Sequence, residues 1–325
     1  MKNSFLRFFG FFFFNLLVVF GIVLFAAGCS RKDNAAQPQG AENKITVSAT
    51  IFPPYDFVRA IAGDRVNLSM LLPPGAESHS FEPSPQDIIT MQNSRLFVYA
   101  GGESDEWVDR ILESMDTANM KILPLMDCVD AVEEEIVEGM EEEEEEEEGI
   151  AYDEHVWTAP KNAARIVQAI ADALCALDAA NADFYRQNSA AYIVKLEELD
   201  AEFRAVADNA KRKTIIFGDR FPFRYLADSY GLSYYAAFPG CSTETECSAA
   251  TVAFLIDKMK SERVPVIFHI ELSNEKIADT IAEATGAKKL LLHACHNISK
   301  SDFEKGEGYL SLMRGNLRNL REALN

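Results

Sequence analysis

Positive charge is scarce in this chain: 31 lysines and arginines stand against 51 aspartates and glutamates, a formal net charge of −20. That balance argues against nucleic acid as a partner, because phosphates need basic side chains to displace their counterions. It suits a protein that gathers cations, and it suits plain solubility equally well. Histidine is scarcer still, with five residues in 325. No HExxH helix or comparable motif occurs, so the usual signature of a zinc hydrolase is missing. Nor do the cysteines make an even set. With Cys29 set aside, Cys128, Cys175, Cys241, Cys247 and Cys295 remain, which in an exported protein means at least one free thiol or metal ligand. Cys241 and Cys247 lie close enough in sequence to pair, and spacing alone does not decide whether they do.

Long apolar runs are confined to the N-terminus. Lys2 and Arg7 precede an almost wholly apolar stretch from Phe8 to Ala27, which ends in Ala26-Ala27-Gly28-Cys29. Charge, apolar run and small residues in that order describe an export signal. The run is also long enough to cross a bilayer, so an uncleaved anchor is the alternative. The Cys directly after small residues, followed by a polar stretch from Ser30 to Asn43, matches a bacterial lipoprotein signal. The expectation is a signal over 1–28, lipidation at Cys29, a tether over 29–43, and a folded part that faces outward.

Beyond the tether, residues 44–128 alternate short β-rich runs with helical ones. Ile45–Ala49, Val66–Leu72, Leu96–Ala100 and Lys121–Leu125 read as strands. Pro54–Ala62, Pro85–Asn93 and Glu106–Ser114 read as helices, and such alternation implies parallel βαβ units. Glu133 to Glu148 follows as a low-complexity insert ending in eight consecutive glutamates, a charge density expected to stay disordered. Helical patterning then covers Asn162–Leu177 and Ala182–Asn209. The second of these contains neither Gly nor Pro and would reach ~40 Å at the helical rise. A second βα series runs from Thr214 to the C-terminus. The expected fold class is α/β: two βα lobes with parallel sheets, 44–181 and 211–325, joined by one spine helix over 182–210. A ligand cleft belongs between the carboxyl ends of the two sets of strands. Such a spine should limit the lobes to modest tilting.

Four of the five histidines fall at predicted strand ends or in loops. His79 follows Pro73-Pro74-Gly75-Ala76-Glu77-Ser78, and His155 stands in Asp153-Glu154-His155-Val156-Trp157. His293 closes the last predicted strand, and His296 comes three residues later. Any one of these is more often merely polar, but imidazoles converging on one cleft are how a protein presents neutral nitrogen to zinc. His269 lies inside a predicted strand and reads as a packed or hydrogen-bonded histidine. Glu271, next to that strand's end, is a ligand or an acceptor that orients one.

These segments resemble the zinc and manganese solute-binding lipoproteins of ATP-binding-cassette importers (the ZnuA/TroA-like cluster A-I family). The resemblance rests on Ile45–Phe57, on Leu72–Pro85 around His79, on Asp153–Pro160 around His155, and on Tyr309–Leu317. It implies an extracytoplasmic monomer, not an enzyme, that captures Zn2+ (Mn2+ less readily) and delivers it to a permease and its ATPase. It also implies that His79 and His155 are ligands. The family usually places His or Glu after the first strand of the second lobe, where this chain has Phe217-Gly218-Asp219-Arg220. Asp219 can offer oxygen there, and Arg220, always protonated, cannot. The family's last ligand is normally an Asp, and His293 takes its place. The expected set is therefore His79, His155, His293 and Asp219, with Glu271 as competitor and Cys295 as a further substitute. Three imidazoles and a carboxylate favour zinc over manganese. Relatives often carry a histidine-rich loop where this chain has glutamates only. The alternatives are an exported zinc-dependent hydrolase and an adhesin-type lipoprotein with a structural metal.

Overall fold

Each strand is short and followed by a helix or helical turn, so each one pairs in parallel with a neighbour that the chain reaches by crossing over. The computed structural model describes residues 44–78, 80–140, 151–242 and 246–325. The expected signal, the tether with Cys29, His79 and the eight-glutamate run lie outside the described residues. In the first lobe the strands are β1 (Thr46–Ala49), β2 (Asn67–Met70), β3 (Leu96–Tyr99) and β4 (Lys121–Pro124), in the order β2-β1-β3-β4. The second lobe repeats this plan with β5 (Thr214–Arg220), β6 (Ser233–Phe238), β7 (Val266–His269) and β8 (Lys288–Leu291), in the order β6-β5-β7-β8. All pairings are parallel. Both sheets reverse their strand order beside the first strand, which opens a crevice at the carboxyl ends there.

The helices of the first lobe are α1 (Phe52–Ala62), α2 (Pro85–Gln92), α3 (Glu106–Ser114) and α4 (Pro160–Leu177). Proline in the first turn starts α1, α2 and α4, where a missing N–H costs nothing. Ser84 and Asp87 close a reciprocal capping box on α2. The spine is α5 (Ala182–Asp208), unbroken as its lack of Gly and Pro requires. The second lobe adds α6 (Arg224–Tyr230), α7 (Ala249–Glu262), α8 (Lys276–Thr285), α9 (Lys300–Glu304) and α10 (Tyr309–Leu324).

Spine helix α5 packs against α1 and α4 of the first lobe and against α6 and α10 of the second. Its buried side chains Tyr185, Leu196, Leu199 and Phe203 belong to one apolar core that runs from Val47 and Phe57 through to Phe217 and Phe268. The lobes are therefore two sheets on a common interior. Asp56 of α1 adds a polar tie by accepting the Tyr309 N–H at the start of α10, at 2.7 Å. Among the described residues no helix is long and apolar enough to cross a membrane.

The acidic insert begins differently from the sequence expectation. Glu133 and Tyr152 form an antiparallel bridge, and Glu134 takes the Gly240 and Cys241 N–H groups of the second lobe at 2.7 and 3.2 Å. Met140 is buried, and Glu138 pairs with Lys258. Charge density argued for disorder from Glu133 onward. Specific backbone donors and an apolar contact outweigh it over 133–140. No disulfide joins Cys241 and Cys247, so the pairing left open by their spacing is not made.

Candidate metal centre

The segment between the acidic insert and α4 carries the site. It is irregular, yet Asp153, Glu154, His155, Val156 and Trp157 are all buried. Asp153 Oδ1 accepts both the His155 backbone N–H, at 2.7 Å, and the ring Nδ1–H, at 2.9 Å. A ring held this way carries its proton on Nδ1 and presents Nε2 as the electron-pair donor, the arrangement that orients metal-binding imidazoles. Gly240 packs against the other side of the ring, where an added Cβ would lie 3.2 Å from His155 Cε1.

Glu154 meets a donor pair. Ser104 gives its N–H to Oε2 at 3.0 Å and its hydroxyl to Oε1. Gly102, at φ +93°, lets this turn approach, since a Cβ there would stand 2.8 Å from the Glu154 Cβ. His296 completes the group from the second lobe. Its ring centre is 4.5 Å from that of His155, and its Nε2 is 3.7 Å from Glu154 Oε1. Ligand atoms of Glu154, His155 and His296 all lie within 4.8 Å of one another, the one such cluster among the described residues. All three residues are buried.

The electrostatics favour a cation. Asp105, Glu134, Asp153 and Glu154 crowd this one region, and all but Glu134 are almost wholly buried. Burial, and then the charge of Glu154, pushes the Asp105 carboxyl up to about 7, against the backbone N–H groups of Gly101 and Ala100. Burial also raises Glu134, with Asp153 adding to it. For His155 burial alone would lower the pKa, but Asp153, Glu154 and Glu134 together raise it. His296 is held well below the usual imidazole range by burial, by His155 and by Arg220, so it stays neutral and able to ligate.

Asp105 yields a stability prediction. Its unfolded carboxyl ionises near 3.8 and its folded one near 7, so ionisation in the fold costs stability as pH rises between these values, and the full cost is present above 7. Asp105→Asn keeps an oxygen for the Ala100 and Gly101 N–H groups and removes the charge. In chelator-treated protein at pH 8, denaturant unfolding should show the variant more stable by roughly 1–3 kcal/mol, with the gain shrinking as pH falls below 7 and vanishing toward 3.8.

Of the other expected ligands, those among the described residues lie elsewhere. Asp219 is captured by backbone: Oδ1 takes the Arg220 N–H at 2.9 Å and Oδ2 the Ile270 N–H at 3.2 Å. Glu271 holds the turn that carries His296, accepting the Ala294 N–H at 2.6 Å and the His296 N–H at 3.0 Å. His293 Nδ1 accepts the Cys295 N–H at 2.9 Å, and its peptide is clasped on both sides by Asn316. Neither His293 nor Asp219 joins the cluster. Cys295 is buried, with its thiol near the His293 carbonyl. His269 bonds the Ile270 carbonyl at 3.1 Å. Glu77 and Ser78, just before His79, line a small cleft with Arg220, Glu271 and His296. The expected ligand set left out Glu154 and His296, although His296 was counted among the histidines that could converge on the cleft. The signal for Glu154 was its place in the same short motif as His155.

Residues 47–323 match the family model ZnuA, zinc-uptake complex component A, periplasmic. The chain belongs to that family. It is 33% identical over 315 residues to the high-affinity zinc uptake system protein ZnuA of Bacillus subtilis, covering 95% of this chain and 97% of that one. It is 31% identical to the zinc-binding lipoprotein AdcA of Streptococcus pneumoniae over 95% of its own length, but spans only 60% of AdcA. Among solved structures, the metal-dependent lipoprotein YcdH of B. subtilis superposes with a TM-score of 0.74 at 33% identity, covering 86% of this chain and 99% of that one. The Zn(II)-bound ZnuA-like domain of S. pneumoniae AdcA gives 0.73 at 29% identity, with 86% and 99% covered. The two-lobed fold with its spine helix is that of the ZnuA family, whose members are solute-binding components of transporters.

Proposed function

We propose that this chain captures Zn2+ outside the cytoplasm and delivers it to the permease and ATPase of an ATP-binding-cassette importer, held at the membrane by lipid on Cys29. The observation that carries the reading is the buried cluster of Glu154, His155 and His296, set among carboxylates that outnumber the nearby cations. Burying so much negative charge is unfavourable without a partner, and a divalent ion supplies one. In this reading His79 is the fourth ligand on the strength of its sequence motif. Three imidazoles and one carboxylate suit tetrahedral zinc better than manganese, which prefers more oxygens. The role is capture and release, without catalysis. Four protein ligands leave no open position for an activated water.

Titration calorimetry of the purified, chelator-treated protein should give one zinc per chain, with manganese displaced by zinc in competition. Elemental analysis of protein purified with its native metal should also find zinc. A chain that takes up manganese and refuses zinc, or binds neither, would sink the proposal.

A further inference from the structure

We propose that Arg220 and Glu77 form a charge switch at the mouth of the metal cleft, neutral while the lobes are together and repelling the bound cation once they part. The proposal rests on the zinc-capture reading and adds to it a means of release. Arg220 ends β5 in the second lobe, and its side chain is only 11% exposed. Guanidinium cannot be deprotonated in a protein, so a permanent cation is fixed in a cleft whose wall includes His296. Beside a divalent ion such a charge is unfavourable unless something offsets it.

Glu77 supplies the offset from the other lobe. One carboxylate oxygen accepts from Arg220 Nη2 at 3.0 Å, while the other takes the Ser80 N–H at 3.0 Å within its own loop. The second bond of Arg220 goes to the Ser242 carbonyl at 3.1 Å, in the loop after β6. Ser242 and Arg220 therefore belong to one lobe and Glu77 to the other. A tilt that widens the cleft lengthens the contact with Glu77 and leaves the guanidinium anchored by Ser242. The positive charge then faces the ion without its partner carboxylate. An ion pair that served only to tie the lobes would have no need to place its cation toward a cation site.

The two partners make opposite predictions. Zinc release is followed by stopped flow into excess chelator for the full protein and for Glu77→Gln, Arg220→Gln, Arg220→Lys and the double variant Glu77→Gln/Arg220→Gln. Glu77→Gln leaves the guanidinium uncompensated and should release zinc about tenfold faster. Arg220→Gln removes the repulsion and should release it about tenfold more slowly. The double variant should follow Arg220→Gln, because Glu77 acts through that charge. Arg220→Lys keeps the charge and should stay within a few-fold of the parent protein, and thermal melts after chelation show that each variant is folded. If Arg220→Gln releases zinc as fast as Glu77→Gln, the pair is a tie and the switch is wrong. A parent protein that binds no zinc would instead overturn the capture reading, and the switch with it.

Discussion

Replacing His296 by alanine should lower zinc affinity by more than about a hundredfold, whereas replacing His293 should leave it within about tenfold. The first figure exceeds the 10–100-fold typical of losing a group that only orients a ligand, because the ring itself sits among the ligand atoms of Glu154 and His155. The second follows from where His293 points. Its Nδ1 accepts the Cys295 N–H, so the variant loses a turn contact worth about 1 kcal/mol of stability and loosens the approach to His296. Titration calorimetry with both variants, after chelation, separates the two positions. A result with the order reversed would return the second lobe's ligand to His293 and remove the assignment made from geometry.

The reason the two histidines are easily confused is local. β8 ends at Leu291, two residues before the end read from sequence, so His293 already lies in a loop where strand alternation no longer gives direction. Cys295 then adopts φ +62°, a left-handed conformation that a non-glycine residue rarely takes. It reverses the chain and turns His296 back toward His155. Nothing in the composition of Ala294-Cys295-His296 announces that turn. The Asp219 carboxylate was equally hard to place, since its capture by the Ile270 N–H depends on how the ends of β5 and β7 lie together. By contrast the strand–helix alternation, the parallel sheets and the unbroken spine were legible, because each follows from local periodicity and from missing Gly and Pro. His155 was legible too: its motif places an acid two residues before it and a helix start soon after.

Trp157→Ala should destabilise the chelated protein by roughly 3–5 kcal/mol, a large share of the 5–15 kcal/mol typical of a folded domain. Trp157 is fully buried in the core that both lobes share, and truncation to alanine leaves a cavity that the surrounding helices cannot fill. Two hydrogen bonds fix it across the molecule. Its indole N–H donates to the Ala294 carbonyl at 2.8 Å, and its own carbonyl accepts the Tyr309 hydroxyl at 2.6 Å. The same ring lies 4.9 Å from His296 and 5.6 Å from His155, centre to centre. One side chain thus fills the interior, walls the metal centre and holds the residue from which the His296 turn departs. Trp157→Phe separates these roles: it keeps most of the volume but strands the Ala294 carbonyl, a loss of about 1–3 kcal/mol. Denaturant unfolding in chelator should place Phe between the parent and Ala. Zinc affinity should fall about tenfold for Phe, in the range for losing an orienting partner. If Phe matched the parent in affinity while losing stability, the indole bond would not position His296, and core and site would be held independently.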